Sequence, residues 1–333
     1  MEKSSNKQVA AKEPFNFVQW LRKRKVQKAI VIVTFSIIPL MLLFMFTYLP
    51  FAKMVQFSFY KMKYIGPRQY VGIQNYIDVF KRDDCFSALR LSLYYLVGAL
   101  IQLMLALYFA TILSFKVKLG GIFKGAMFFP YLVCGIAVGF IFQFFYTRGF
   151  VLDTLLSWLG FDLDKLPYWL KDTRINNASL AATSVWRYMG QNMVLFIGAI
   201  MSVDKELYEA AELDGANKWM QFKYIILPGI KTIVVLNLIL SVTGSISAFE
   251  PCFVITKGTF GTGTYFFVMH KLAHVNYKVG LASAMAIVLL VIIIIATIIQ
   301  KVVMNALFND GDENNSKRIQ RKLKKSKYSK EVA

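Results

Sequence analysis

The sequence predicts an all-α integral membrane protein with six transmembrane helices. Of its 333 residues, 56% are hydrophobic and 17% are Asp, Glu, Lys or Arg, and the mean hydropathy is +0.49. A soluble domain of this size needs far more charged surface than that. The apolar residues also stand in long runs, such as those within 26–48 and 281–303. A run of about 20 apolar residues is long enough to cross a bilayer as a helix.

Six apolar segments are candidates for these helices. The predicted spans are residues 29–49, 90–114, 123–146, 178–202, 232–256 and 280–304. A secretory signal is the alternative for the first span, but its apolar core is too long and no small-residue cleavage site follows it. We therefore expect a six-helix transmembrane domain over 29–304, preceded by a basic tail (1–28) and followed by a second basic tail (305–333).

Lys and Arg are concentrated in the two tails, for example over 22–28 and 317–330. An even number of spans places both ends on one side of the membrane, and cytoplasmic segments carry the excess of Lys and Arg. We therefore expect a multi-pass protein with both termini in the cytoplasm. The net charge of +20 could indicate a nucleic-acid partner. Because the charge flanks membrane spans, attraction to anionic membrane lipid is a sufficient reason for it, and we expect no nucleic acid.

The three cysteines, Cys85, Cys134 and Cys252, are scattered. Two of them lie within or at the edge of predicted spans, so we expect no disulfide framework.

The segment Val203–Lys231, between the fourth and fifth spans, is too polar for a membrane span and too patterned for a slack loop. Leu207, Ala210 and Ala211 share one face of a short helix, which Asp214-Gly215 interrupts. Trp219, Phe222 and Ile226 mark the apolar face of a second short helix, which Pro228 ends. We call this segment the knob and expect it to project from the membrane as a rigid unit.

The knob resembles the EAA motif of binding-protein-dependent ABC importer permeases. The matching residues, in order and at the family's spacing, are Glu209, Ala210, Ala211, Asp214, Gly215, Ala216, Phe222, Ile225, Leu227 and Pro228. The family often has a second proline four residues after the first, and Thr232 stands there in this chain. That difference bears on the angle at which the fifth helix begins, and not on the resemblance to the family.

Other segments resemble the carbohydrate-uptake branch of the same family. They are Phe57–Phe59, Val71–Tyr76 with its G-x-x-N-Y pattern, Phe129-Pro130, and Gly280–Ala284 at the start of the sixth span. Gly258-Thr259-Phe260 stands where members of this branch commonly show Gly-Gly-Pro. Together these segments extend the resemblance over most of residues 30–305.

The resemblance implies a type I ABC importer permease fold in the bacterial inner (cytoplasmic) membrane. It implies that the knob is the coupling helix, which sits in a cleft of a separate P-loop ATPase dimer. Small residues there allow close approach, Glu209 and Asp214 can accept hydrogen bonds, and Phe222 and Leu227 hold the knob to the bundle. The expected partners are that ATPase, a second EAA-motif permease and an extracytoplasmic solute-binding protein. The expected substrate is a sugar, with a di- or oligosaccharide favoured and polyols or glycerol phosphate esters as the alternatives.

Polar residues within spans are costly and usually face a cavity or another helix. The candidates for contact with substrate are Ser184, Trp186, Arg187, Tyr188, Gln191 and Asn192 in the fourth span and Ser245 and Glu250 in the fifth. Two alternatives stay open: such groups often join helices to one another, and Arg187 could simply pair with Glu250 or reach the interface. His270 and His274 are expected to be interfacial rather than ligands.

Two other classes of function fit the sequence less well. An ion-gradient-driven secondary transporter would suit Glu250 and Arg187, but the sequence shows none of the internal repeats common in that class. A membrane enzyme is disfavoured, because neither an H-E-x-x-H nor a G-x-S-x-G pattern is present. The chain also lacks a G-x-x-x-x-G-K-[ST] loop. We therefore expect no catalytic or metal-binding residues and no bound cofactor, with ATP and Mg²⁺ held by the partner ATPase.

Overall fold

A computed structural model describes residues 24–115 and 117–308. Most of the two predicted basic tails, 1–28 and 305–333, therefore lies outside the described residues. The chain divides into two units that meet at Phe57 and Ser58.

The first unit is a long apolar helix. It comprises α1 (Arg24–Leu43), a π-helical turn (Phe44–Tyr48) and α2 (Leu49–Phe57), and its apolar stretch Val26–Phe57 covers 32 residues. Large apolar side chains such as those of Phe35 and Phe46 are exposed along it. That is the surface expected of a helix covered by lipid or by another membrane-spanning chain.

The second unit begins with a short hairpin and is otherwise built from helices. Its elements are β1 (Tyr60–Lys61), β2 (Gln69–Tyr70), α3 (Gln74–Lys81), α4 (Asp83–Ser114), α5 (Gly120–Leu132), α6 (Gly135–Tyr146), α7 (Val151–Trp158), α8 (Asn176–Met201), α9 (Lys205–Leu213), α10 (Lys218–Gln221), α11 (Leu227–Gly229), α12 (Lys231–Ile246), α13 (Tyr265–His270) and α14 (Val279–Phe308). Shorter turns of 3₁₀ or π type are Leu163–Lys165, Phe222–Ile226, Cys252–Thr256 and Lys271–Val275.

Among the described residues, three helices are long and apolar enough to cross a membrane: Val26–Phe57, α4 and Val279–Met304 of α14. Counting each of two bent helix pairs as one span raises the number to five. The predicted fourth span, 178–202, is a continuous helix of 26 residues (α8) but does not reach the same apolarity. Polar residues such as Arg187 and Gln191 occupy its middle. The six-span count therefore stays a prediction.

The third predicted span, 123–146, is not the single straight helix that the hydropathy indicates. It is broken after Leu132, and α5 and α6 meet at an angle of 99°. Pro130 lies one turn before the break and has no amide hydrogen to donate to the helix. Val133 and Cys134 are extended, and α6 begins again at Gly135.

The fifth predicted span, 232–256, is also interrupted. α12 ends at Ile246, and a non-helical stretch follows before the turn Cys252–Thr256. Pro251 explains the interruption, since it cannot donate the hydrogen bond that would continue the helix to residue 247. At its other end α12 is bent by 71° from the helix Lys218–Gly229.

The core of the second unit lies between α4 and α8, which pack together along most of their length. Gly98 of α4 allows the close approach: a β-carbon there would lie 3.3 Å from Val185 and 3.5 Å from Ala181 of α8. Small residues at helix contacts are the usual solution in membranes, where van der Waals packing drives association. Gly190 serves α5 in the same way, because a β-carbon there would lie 1.8 Å from the carbonyl oxygen of Met127.

Two of the motifs singled out in the sequence contact each other. The amide of Asn75 donates hydrogen bonds to the carbonyl oxygens of Ser58 (2.8 Å) and Tyr60 (3.0 Å), and the Tyr76 hydroxyl lies 2.7 Å from that of Ser58. Gly280 lies against the same hairpin, since a β-carbon there would be 1.7 Å from the Tyr60 oxygen. The G-x-x-N-Y element and the start of α14 therefore hold the hairpin in place between them.

Asn75→Ala is expected to lower the free energy of unfolding by about 1–3 kcal/mol, because buried carbonyl oxygens lose their donor. The measurement is the thermal unfolding midpoint of the protein in detergent. Gln74→Ala is the matched control, since Gln74 is exposed and its amide donates to half-buried Asp78 within the same helix. Equal midpoints for the two variants would contradict the role of Asn75.

Candidate functional site: the knob and the broken helices

The knob forms the two short helices that the sequence predicts. α9 ends at Leu213 and the chain turns at Gly215, whose φ of +80° lies in the left-handed region that favours glycine. Two backbone hydrogen bonds close the turn, from the Gly215 amide to Glu212 (3.1 Å) and from the Ala216 amide to Ala211 (2.8 Å). Asn217 then caps the next helix by accepting from the Met220 amide at 2.8 Å.

An ion pair links the two helices of the knob across the turn. The Lys218 ammonium lies 2.7 Å from a Glu212 carboxylate oxygen, and the Gln221 amide lies 3.5 Å from the same oxygen. Hydrogen bonds, first from Lys218 and then from Gln221, lower the pKa of the Glu212 carboxyl. The pair is exposed, so it contributes more to the geometry of the turn than to stability.

The free face of the knob is exposed and partly apolar. Glu209, Ala210, Asp214 and Gly215 are exposed, while Ala211 and Ala216 are half-buried. Leu213, at the tip of α9, is 90% exposed. Beside it lies a hollow of about 180 Å³ lined by Ala211, Ala216, Met220, Gln221, Tyr224 and Ile225. An exposed apolar surface rimmed by polar residues is typical of a protein–protein interaction site.

The root of the knob is fixed in the helix bundle. Ile226 and Ile230 are fully buried, and half-buried Phe222 packs beside them, in a cluster with residues of α4 and α8 that include Ala110 and Phe196. The sequence predicted Phe222 and Leu227 for this role. Leu227 is half-buried and Pro228 is exposed. Ile226 belongs to the apolar face that the sequence predicts, whereas Ile230 is not predicted, although it follows Ile226 at a helical spacing of four.

The central charged pair of the bundle is formed by two of the candidate pathway residues. Arg187 of α8 makes a salt bridge to Glu250, which follows the interruption of the fifth predicted span. The Arg187 Nε atom is buried and, among the described residues, has no hydrogen-bond partner. The guanidinium lies 5.1 Å from the centroid of the Tyr188 ring. The pairing that the sequence left open as an alternative is therefore present.

Both helix breaks meet at this ion pair. Gly135, the first residue of α6, is so close that a β-carbon there would lie 1.9 Å from a Glu250 oxygen and 2.6 Å from an Arg187 nitrogen. Non-helical backbone at membrane depth is tolerated where protein buries it or where it lines a water-filled cavity. Half-helix ends at such breaks are typical of the substrate sites of membrane transporters.

The other pathway candidates are distributed around α8. Tyr188 lies next to the ion pair and packs against Tyr131 of α5, with ring centroids 6.2 Å apart. Ser184 and Gln191 are half-buried, and Asn192 is buried. Ser245 donates its hydroxyl hydrogen to the Ser241 carbonyl within its own helix. Helical spacing places Ser184 and Gln191 on the same face as Arg187.

Trp186 is separated from this group. It packs edge-on against Phe142 of α6 (5.2 Å between centroids) and lines a groove of about 1,080 Å³ between α4 and α8. It therefore lies beside a mostly apolar groove rather than with the charged pair.

His270 and His274 form an aromatic cluster with Phe249 and Phe253. Their rings are 4.6 Å apart, and the Tyr64 hydroxyl lies 2.8 Å from Nδ1 of His274. Burial, and secondarily the neighbouring His274, lowers the pKa of His270. Within residues 24–115 and 117–308, no group of three or more His, Cys, Asp or Glu side chains is placed to bind a metal.

An ion pair at two helix breaks within predicted membrane spans is typical of membrane transport subunits. A family model described as the binding-protein-dependent transport system inner membrane component matches residues 21–308. The chain belongs to this family, whose members are transport components rather than enzymes.

Individual relatives agree with this assignment. The chain is 31% identical over 232 residues to the arabinooligosaccharides transport system permease protein AraP of Bacillus subtilis. The aligned region covers 67% of this chain and 72% of AraP. It is also similar to a chain of a bacterial ABC transporter involved in the import of the acidic polysaccharide alginate (TM-score 0.74, 17% identity, 87% of this chain and 99% of that one). A second structure of an alginate ABC transporter, in complex with an alginate pentasaccharide-bound periplasmic protein, matches with a TM-score of 0.73 and 17% identity over 84% of this chain and 96% of that one. The chain therefore has the type I ABC importer permease fold.

Gly135→Ala is expected to lower the free energy of unfolding by about 1–3 kcal/mol, because the added methyl overlaps the Arg187–Glu250 pair. Glu250→Asp in the same chain should restore part of the loss by withdrawing the carboxylate. The measurement is the unfolding midpoint in detergent. Gly125→Ala is the control, since no heavy atom lies within 4 Å of its added β-carbon. A Gly135→Ala protein as stable as this control would contradict the close approach.

Proposed function

We propose that this chain is the permease subunit of an ATP-driven importer and forms half of the pathway for a di- or oligosaccharide. The observation that carries the proposal is the knob: two helices joined across the Gly215 turn, rooted in the bundle by Ile226 and Ile230, with an exposed face. A part that is rigid, anchored and exposed suits the transfer of force from a partner to the transmembrane helices.

The proposed partner at the knob is a P-loop ATPase dimer, which would hold the ATP and Mg²⁺. Small side chains at Ala210, Ala211, Gly215 and Ala216 leave room for its surface to approach. The carboxylates of Glu209 and Asp214 are exposed and can accept hydrogen bonds or pair with cations of the ATPase. Leu213 and the apolar hollow supply contact area from which water would be excluded when the ATPase binds.

Membership of a binding-protein-dependent family supports an extracytoplasmic solute-binding protein as the second partner. The alginate transporter structure contains such a periplasmic protein. A second EAA-motif permease would complete the pathway. Closure of the ATPase would turn the cavity toward the binding protein, and hydrolysis would return it to the cytoplasm. The basic tails support a cytoplasmic location for both termini, in a bacterial inner membrane.

A sugar is the proposed substrate, because AraP is a transport protein for arabinooligosaccharides and the similar solved structure is an alginate importer. The proposed contacts are on the face of α8 that holds Arg187, Tyr188 and Gln191, together with Glu250. An aromatic ring can cover the C–H patches of a sugar, and charged or amide groups can bind its hydroxyls. Ser184 lies on the same face of α8, Asn192 and Ser245 are further proposed contacts, and Trp186 lies beside the groove.

The first test is to tag the chain, purify it gently from its native membrane and identify the proteins that accompany it. We expect a P-loop ATPase and a second EAA-motif permease. Recovery of the chain alone, able to move a sugar into liposomes without ATP, would indicate a gradient-driven secondary transporter instead.

Gly215→Pro is expected to leave the chain in the membrane but to abolish uptake and recovery of the ATPase. Proline fixes φ near −65°, whereas Gly215 has +80°, and proline also lacks the amide that bonds to Glu212. The measurements are sugar uptake in cells and copurification of the ATPase.

Gly215→Asn is the matched control for that variant, because asparagine tolerates the left-handed conformation. It should retain most of the uptake. Normal uptake by Gly215→Pro would rule out the coupling role of the knob.

A further inference from the structure

The ring of Phe115 lies between the two helices of the knob, although Phe115 belongs to another part of the chain. It is the first residue after α4. Its ring meets that of Tyr208 in α9 edge to face, with centroids 6.4 Å apart and an interplanar angle of 88°. The Lys218 ammonium, at the start of α10, lies 5.0 Å from the centroid of the same ring. One side chain, immediately after the end of α4, therefore contacts both knob helices.

The cation on the ring is itself held in place. Lys218 bonds to Glu212 at 2.7 Å and to Gln221 at 3.3 Å, and Gln221 is almost fully buried. The ammonium is therefore held where the aromatic face of Phe115 attracts it. The edge-to-face contact with Tyr208 is a second favourable interaction of the same ring. Both contacts depend on an aromatic side chain at residue 115.

The link adjoins the buried cluster at the root of the knob, because half-buried Tyr208 also packs against that cluster. α8 and α12 are joined to the knob by the backbone, whereas α4 contacts the knob through side chains. Ile226 and Ile230 hold the root of the knob to α4, and Phe115 holds α4 to the tip-side helices α9 and α10. Movement of those two helices against a fixed root would therefore reach α4 at Phe115.

We propose that Phe115 is a positioning residue that carries movement of the knob to α4 during transport. The proposal rests on the proposed function, in which the knob docks the ATPase. It predicts that loss of the ring uncouples ATP hydrolysis from transport. The ATPase should stay bound, because Leu213, Ala211 and the rest of the exposed face of the knob are unchanged.

The test is Phe115→Leu, which keeps an apolar side chain but removes the aromatic face. With the purified complex in liposomes, we expect sugar taken up per ATP hydrolysed to fall about fivefold, the scale set by one aromatic pair and one cation–π contact. The ATPase should still copurify. Phe115→Tyr should restore the ratio. Phe123→Leu, at an exposed phenylalanine of α5, is the matched control.

Lys218→Met tests the same link at an exposed position without changing the end of α4. It should lower the uptake per ATP in the same direction, and Lys218→Arg should not. An unchanged ratio in both Phe115→Leu and Lys218→Met, or loss of the ATPase from the Phe115→Leu complex, would overturn this role and leave the proposed function standing. A wild-type complex without any ATPase would overturn both.

Discussion

The structure depends on one constraint: hydrocarbon cannot satisfy a charge or an unpaired backbone group, so these groups must satisfy one another within the protein. α5 and α6 break at Val133–Cys134, and the fifth predicted span breaks before Pro251. The two breaks meet at the Arg187–Glu250 pair, where Gly135 leaves just enough room. Interrupted helices and charges within membrane spans would each be costly alone, and here they satisfy one another at the place where we propose that the substrate passes.

The knob extends that arrangement beyond the spans. Ile226 and Ile230 root it between α4 and α8, the Gly215 turn sets the angle between its helices, and Lys218 with Glu212 closes the turn. Because α8 carries Arg187 and also enters the knob, a displacement of the knob acts on the helix that holds the ion pair. The proposed docking segment and the proposed substrate contacts are therefore connected by one helix.

The sequence predicts the knob better than it predicts the pathway. The interruption at Gly215 and the apolar spacing of Trp219, Phe222 and Ile226 are local signals that can be recognised in the sequence. The breaks in the third and fifth predicted spans were missed, since average hydropathy does not register a bend. Pro130 and Pro251 were the available signals. The approach of Gly135 to Glu250 joins residues 115 positions apart, which no local pattern can show. Trp186, by contrast, could have been separated from Tyr188, because residues two positions apart lie about 200° apart around a helix.

The most direct test of the central claim is sugar uptake into proteoliposomes that contain the chain copurified with its partners, with ATP supplied on the side of the knob. The account predicts uptake that requires ATP, requires the binding protein and is lost in the Gly215→Pro complex. Uptake by the chain alone, driven by an ion gradient and unaffected by ATP, would contradict it.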